Sequence, residues 1–186
     1  LCKRLKAPMQ RSQRCSPEGS DIKGVTHQAF AVTLAALAMN AGGLHISPWV
    51  GLPLASFGSL IPDIDHPESK LGRRVYPLSS LLFQFAGHRG FFHSLVFWGM
   101  MTFAFYLANS YLGQGYLPEA WLLISIGHLS HLLGDMFFGR YGVQLLWPIR
   151  RRIRIVPGSW SVGGVHEFLF LCLFVVITAC VTGASI

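Results

Sequence analysis

Gly127-His-Leu-Ser-His-Leu-Leu-Gly-Asp135 sets three ionisable side chains into an otherwise apolar run from Leu117 to Phe138. As a helix rising 1.5 Å per residue, that run covers roughly 30 Å, the thickness of a bilayer's hydrocarbon core. His128, His131 and Asp135 then lie at membrane depth, where ionisable groups are costly and mark ion pathways, proton relays or ligand sites. Their spacing of i, i+3 and i+7 places them on one helix face, turned away from lipid. For His128 a plain hydrogen bond to a neighbouring helix is an equal alternative. His131 and Asp135 stand at i and i+4, the arrangement in which two helical ligands share one ion.

Composition supports a membrane setting. Of 186 residues 52% are hydrophobic and 12% charged, about half the charged share of an ordinary soluble domain. The net charge of +7 does not indicate a nucleic-acid reader, because the basic residues fall in loops between apolar runs and not on one water-soluble module. The four cysteines, Cys2, Cys15, Cys172 and Cys180, form no CxxC pair, zinc knuckle or disulfide framework.

Residues 1–24 read as a disordered basic arm carrying Lys3, Arg4, Lys6, Arg11, Arg14 and Lys23, without an apolar segment of signal-peptide type. Residues 25–186 read as one membrane-embedded helical domain. Its apolar runs are Ala29 to Ile46, a short leg from Trp49 to Ile61, Phe91 to Leu112, the run already described, and Val165 to Gly183. The short leg holds too few residues for a full crossing and is expected to be a short or re-entrant return. A short amphipathic helix is expected around Leu78 to Phe85. The fold class is therefore all-α: a polytopic membrane protein with about four long transmembrane helices and one short leg.

Lys and Arg accumulate on the cytoplasmic side of membrane proteins. If the Trp49 leg returns the chain, residues 1–24, 62–90 and 139–163 all face inward, and these hold all 15 Lys and Arg. That topology puts the N-terminus in the cytoplasm. It also brings His27, Asp63, Asp65, His66, His88, His93, His131, Asp135, His166 and Glu167 to one membrane face, leaving His45 at the other.

Two loop motifs stand out on that face. Pro62-Asp-Ile-Asp-His-Pro67 holds two carboxylates and an imidazole between helix-stopping prolines, a donor set for zinc, manganese or iron, although Asp63 or Asp65 could instead cap local backbone groups. Gly87-His-Arg-Gly-Phe-Phe-His93-Ser adds two imidazoles and Arg89, whose planar charged fork suits a carboxylate or phosphate. Ser94 is expected to cap the following helix. His27 and His166 are weaker candidates, since single interfacial histidines are commonly amphipathic surface residues.

These motifs, with Leu71-Gly-Arg-Arg74, Ser130-His-Leu-Leu-Gly-Asp-Met136 and Gly142-Val-Gln-Leu-Leu-Trp-Pro-Ile-Arg-Arg-Arg152, keep their order and approximate spacing over about residues 25–160. In them the chain resembles the YdjM-type family of membrane-bound, predicted metal-dependent hydrolases. Phe92 stands where that family usually has Thr. The resemblance implies that His27, Asp63, Asp65, His66, His88, His93, His131 and Asp135 occupy the family's His and Asp positions; His128 does not.

The expected function is hydrolysis of a phosphoester or lipid-like substrate at the cytoplasmic face of a bacterial inner membrane. It would use one or two divalent ions, zinc first and manganese or iron as alternatives. Asp63 or Asp65 would bridge ions or orient water, and Arg89 would hold an anionic group. Membrane lipids are the expected surroundings, with no nucleic acid and no obligate protein partner. The rival from another class is a metal-ion or proton transporter built on the same His/Asp cluster, which should extend polar groups to the outer face. A third reading, a scaffold for a soluble partner, requires that Asp63 and His131 be dispensable.

Overall fold

The computed structural model describes residues 20–42, 44–86, 90–112, 119–139, 142–156 and 165–183. Among them are six α-helices: α1 (Ser20–Gly42), α2 (Pro48–Gly58), α3 (Leu78–Ala86), α4 (Leu95–Leu112), α5 (Ala120–Phe138) and α6 (Val165–Gly183). Two 3-10 turns, Pro62–Asp65 and Phe91–His93, complete the regular structure, and the described residues contain no strand beyond one antiparallel bridge, Val143 to Ile153. The chain is all-α, as expected. Four helices reach spanning length; two of them, α5 and α6, also have the composition to cross a membrane.

Element ends follow local chemistry. Pro48 opens α2, where its missing N–H removes no helical bond. The helix ends at Gly58, so the short leg is shorter than the apolar run suggested. α4 starts at Leu95 and not at Phe91, because Ser94 has extended backbone and its Oγ accepts the Phe97 N–H at 3.2 Å. That cap leaves Phe91–His93 as a separate turn. α1 starts at Ser20, inside the stretch assigned to the arm; residues 1–19 lie outside the described residues.

α5 is the central element, with α1, α2 and α4 packed around it. Small residues bring α2 close: Gly51, Ala55 and Gly58 are buried at i, i+4 and i+7, and a Cβ on Gly127 of α5 would overlap the Ala55 carbonyl. A Cβ on Gly58 would in turn overlap the Ile124 carbonyl. Because both obstacles are backbone atoms, neither can yield without moving a helix. Gly127→Ala is therefore expected to lower unfolding stability by about 1–3 kcal/mol, the usual cost of overpacking, read as a lower midpoint of thermal unfolding in detergent.

The half of the bundle remote from Asp135 is filled by buried Ala35, Ile46, Ala55 and Leu123, with Met39, Leu44, Leu52, Leu54 and Ile126 packed around them. α6 packs chiefly on α1, through Phe30 stacked on Phe174 (4.8 Å between ring centres) and Thr33 Oγ1 to Thr178 Oγ1 at 2.9 Å. Its other sides expose Phe168, Leu169, Leu173, Val175 and Val176. At the opposite end from the apolar cluster, residues 142–156 fold under the bundle. The Leu95 N–H donates to Leu145 O at 2.9 Å and the Ile155 N–H to Met136 O at 3.0 Å, tying this basic segment to the start of α4 and the end of α5. Gly142, at φ +67°, makes the reversal; any Cβ there would overlap the Ile153 carbonyl.

Candidate metal centre

Side chains from α1, the two 3-10 turns and α5 meet at the end of the bundle where residues 142–156 fold under. His93 Nε2 lies 3.6 Å from Asp63 Oδ1 and 3.6 Å from Asp135 Oδ2. His131 Nε2 lies 3.7 Å from Asp63 Oδ1 and 3.8 Å from Asp135 Oδ2. Each of these two imidazole nitrogens thus lies 3.6–3.8 Å from an oxygen of Asp63 and an oxygen of Asp135. His27 Nε2 approaches the other oxygen of the same carboxylate, Asp135 Oδ1, at 3.6 Å. His93, His131 and Asp135 are buried, and Asp63 retains about a quarter of its side-chain exposure.

These spacings fit ligands better than hydrogen-bonded partners. An N–H···O bond needs about 2.7–3.2 Å, and every imidazole–carboxylate approach here is longer. Donors bound at roughly 2.0–2.2 Å around a tetrahedral ion stand about 3.3–3.6 Å apart, so small inward shifts would complete a shell. The donor set, nitrogen and oxygen without sulfur, suits zinc, manganese or iron. The ligand atoms of His93, His131 and Asp63 lie within 4.8 Å of one another, and so do those of His27, His131 and Asp135.

Orientation is fixed from behind. The His131 Nδ1–H donates to the Ser59 carbonyl at 2.6 Å. A carbonyl can only accept, so Nδ1 carries the proton and the Nε2 lone pair faces the centre, the usual support for a metal-ligating imidazole. Asp65, fully buried, faces His93 Nδ1 at 3.8 Å and so stands behind the ring, not among these four donors.

The electrostatics favour positive charge at this point. Burial by itself would raise the Asp63 carboxyl, but the facing His131 and His93 imidazoles outweigh it and hold Asp63 below the usual carboxylate range. Burial would lower His93, yet Asp63, Asp65 and Asp135 together raise it above the ordinary imidazole value. The carboxylates draw a cation to this spot, as a proton or as a metal ion.

The predicted site residues separate as follows. His27, Asp63, His93, His131 and Asp135 come together, with Asp65 behind His93. His66 sits outside this group: its Nδ1 accepts the Glu68 N–H at 3.3 Å and its ring meets Phe83 edge-on. His88 and Arg89 lie outside the described residues. His128 turns to α4, with Nδ1 at 3.5 Å from Met101 Sδ and its ring beside Phe97. Buried Glu167 accepts the Thr26 hydroxyl at 2.8 Å, next to His27 in sequence.

Two contributors escaped the sequence reading. Ser59 acts through its backbone carbonyl, which no side-chain pattern announces. Gly134 lies under the His27 ring, where a Cβ would overlap Nδ1; its place beside Asp135 was the available signal. The ring of His27 stacks on His131, with centres 4.1 Å apart and planes 17° from parallel.

The profile of the YdjM inner membrane protein family matches residues 22–185. Relatives include Inner membrane protein YdjM of Escherichia coli (strain K12) and of Shigella flexneri, each 35% identical over 80% of this chain and 78% of the relative. Another is "Uncharacterized protein YvsG" of Bacillus subtilis (strain 168), 36% identical over 61% of this chain and 66% of the relative. No solved structure matches. With a match over nearly the whole chain, this protein belongs to the YdjM inner membrane protein family.

Proposed function

We propose that this protein is a multi-pass enzyme of the bacterial inner membrane that hydrolyses a phosphoester or lipid-like substrate at the cytoplasmic face, using a divalent ion held by Asp63, His93, His131 and Asp135. The approach of both Nε2 atoms to both carboxylates at 3.6–3.8 Å carries the reading. The placement follows from α1, α4, α5 and α6 serving as four spans with α2 as the short return. That topology gathers all 15 Lys and Arg and the N-terminus on the cytoplasmic side. The exposed apolar flank of α6 then faces lipid.

When bound, the ion supplies Lewis acidity, lowering the pKa of water to about 7 and offsetting charge that builds on the attacked group. The protein's own residues do the rest. Asp63, the one partly exposed carboxylate of the cluster, stands at the mouth and orients the attacking water. The Ser59 carbonyl keeps the His131 ring aimed at the centre, and the Asp65 carboxylate lies behind the His93 ring. Arg89, two residues before the Phe91–His93 turn in sequence, is assigned to an anionic group of the substrate.

The apolar cluster favours an enzyme over a transporter. Ala35, Ile46, Ala55 and Leu123 fill the bundle beyond the site, whereas an ion path needs polar groups through to the far end. The test is to strip the detergent-purified protein with chelator, reload it with zinc, manganese or iron, and assay release of phosphate or headgroup from lipid phosphoesters. Stripping is expected to cut turnover by at least about 100-fold, and one of the three metals to restore it. Hydrolysis indifferent to stripping would overturn the proposal, as would ion flux into proteoliposomes without any hydrolysis.

A further inference from the structure

We infer that the centre holds two divalent ions, with the Asp135 carboxylate bridging them and His27 committed to the second. This rests on the metal-dependent reading above and goes beyond it in number and assignment. An imidazole binds along its in-plane lone pair. The His27 and His131 rings lie 17° from parallel with centres 4.1 Å apart, so their lone pairs run side by side and do not converge on one atom. Both Nε2 atoms nevertheless face the same carboxylate, each at a different oxygen: His27 at Oδ1 (3.6 Å) and His131 at Oδ2 (3.8 Å). Two stacked imidazoles on the two oxygens of one carboxylate address two positions. The ring separation of 4.1 Å is close to the roughly 3.5–4 Å between the ions of two-metal hydrolytic sites.

The two positions are unequal. The first is surrounded by Asp63 Oδ1, His93 Nε2, His131 Nε2 and Asp135 Oδ2. The second is faced by His27 Nε2 and Asp135 Oδ1, with His131 stacked beside it. Gly134 serves this position directly, since only a residue without a Cβ lets the His27 ring lie over α5.

The test is titration of the metal-free protein in detergent with manganese(II), scored by bound stoichiometry and by the electron paramagnetic resonance spectrum. Wild type is expected to bind two ions per chain, with a spectrum broadened by exchange coupling at saturation. His27→Ala is expected to keep one ion with an uncoupled spectrum; that retained ion also certifies that the variant is folded. Saturation of wild type at one ion, or two coupled ions retained in His27→Ala, would overturn the two-ion assignment and leave a one-ion hydrolase standing. Failure of wild type to bind any ion would remove both.

Discussion

Asp135→Asn is expected to lower metal affinity by more than about 100-fold, beyond what loss of a merely supporting residue costs, and to reduce hydrolysis to background. The amide keeps the shape of the carboxylate but replaces a charged oxygen with an NH2 group that cannot ligate. All three imidazoles face this carboxylate, His27 at Oδ1 and His93 and His131 at Oδ2, so the loss of its negative charge reaches each of them. The variant also separates function from folding. Asp135 is 3% exposed; the neutral isostere removes the cost of burying a carboxylate but also withdraws one of the charges that favour a protonated His93, so the metal-free variant is expected to remain folded with an unfolding midpoint close to that of wild type. Isothermal titration with zinc, together with thermal unfolding of the stripped protein, checks both halves. Unchanged zinc affinity would exclude Asp135 as a ligand, and a collapse in stability would recast it as a structural residue.

Gly134→Ala is expected to have the next largest effect, although it adds a single methyl group and removes no donor atom. That methyl would occupy the place of His27 Nδ1, so the ring must leave its position over α5. The displaced ring can no longer stack on His131 or face Asp135 Oδ1. The backbone of α5 need not move, because the obstacle is a side chain on a neighbouring helix. Metal affinity at the His27 position and turnover are expected to fall by about 10–100-fold, the range for changes that misplace a ligand without deleting it, while the Asp63–His93–His131–Asp135 position keeps its ion. Manganese stoichiometry falling from two to one, as in His27→Ala, would bear this out. Full occupancy with full activity would show that His27 is not needed where it stands.

Much of this could be read from the chain alone, for physical reasons that differ by element. The i, i+4 relation of His131 and Asp135 is local, so helix geometry fixes it regardless of partners. The limits of α6, Val165 and Gly183, coincide with its apolar run because it lies mostly exposed and composition alone delimits it. The start of α4 was misplaced because Phe91 and Phe92 prolong the apolar run, and only the Ser94 hydrogen bond marks where the helix begins. That difference matters, since the preceding turn carries His93 into the cluster.

The ranking of the donors was not legible. Asp63 and Asp65 are two residues apart and chemically identical, yet one borders the centre and the other backs His93 Nδ1. A 3-10 turn sets their directions, and no periodicity foretells it. The sequence reading expected Asp63 or Asp65 to bridge ions; the two-ion proposal gives that role to Asp135, whose two oxygens face different histidines. His128 shares the α5 stripe by spacing, but the packing of α4 claims it through Met101 and Phe97.

The metal-dependent proposal stands on side chains from two separate turns and α5 sharing one metal-binding point. X-ray absorption at the metal edge of the zinc-loaded protein tests it most directly, because the fine structure reports the first shell and the outer scattering of imidazole rings. The expected result is a shell of nitrogen and oxygen alone with scattering from at least two imidazoles, reduced in His93→Ala and again in His131→Ala. A shell without imidazole, or one indifferent to both substitutions, would contradict it.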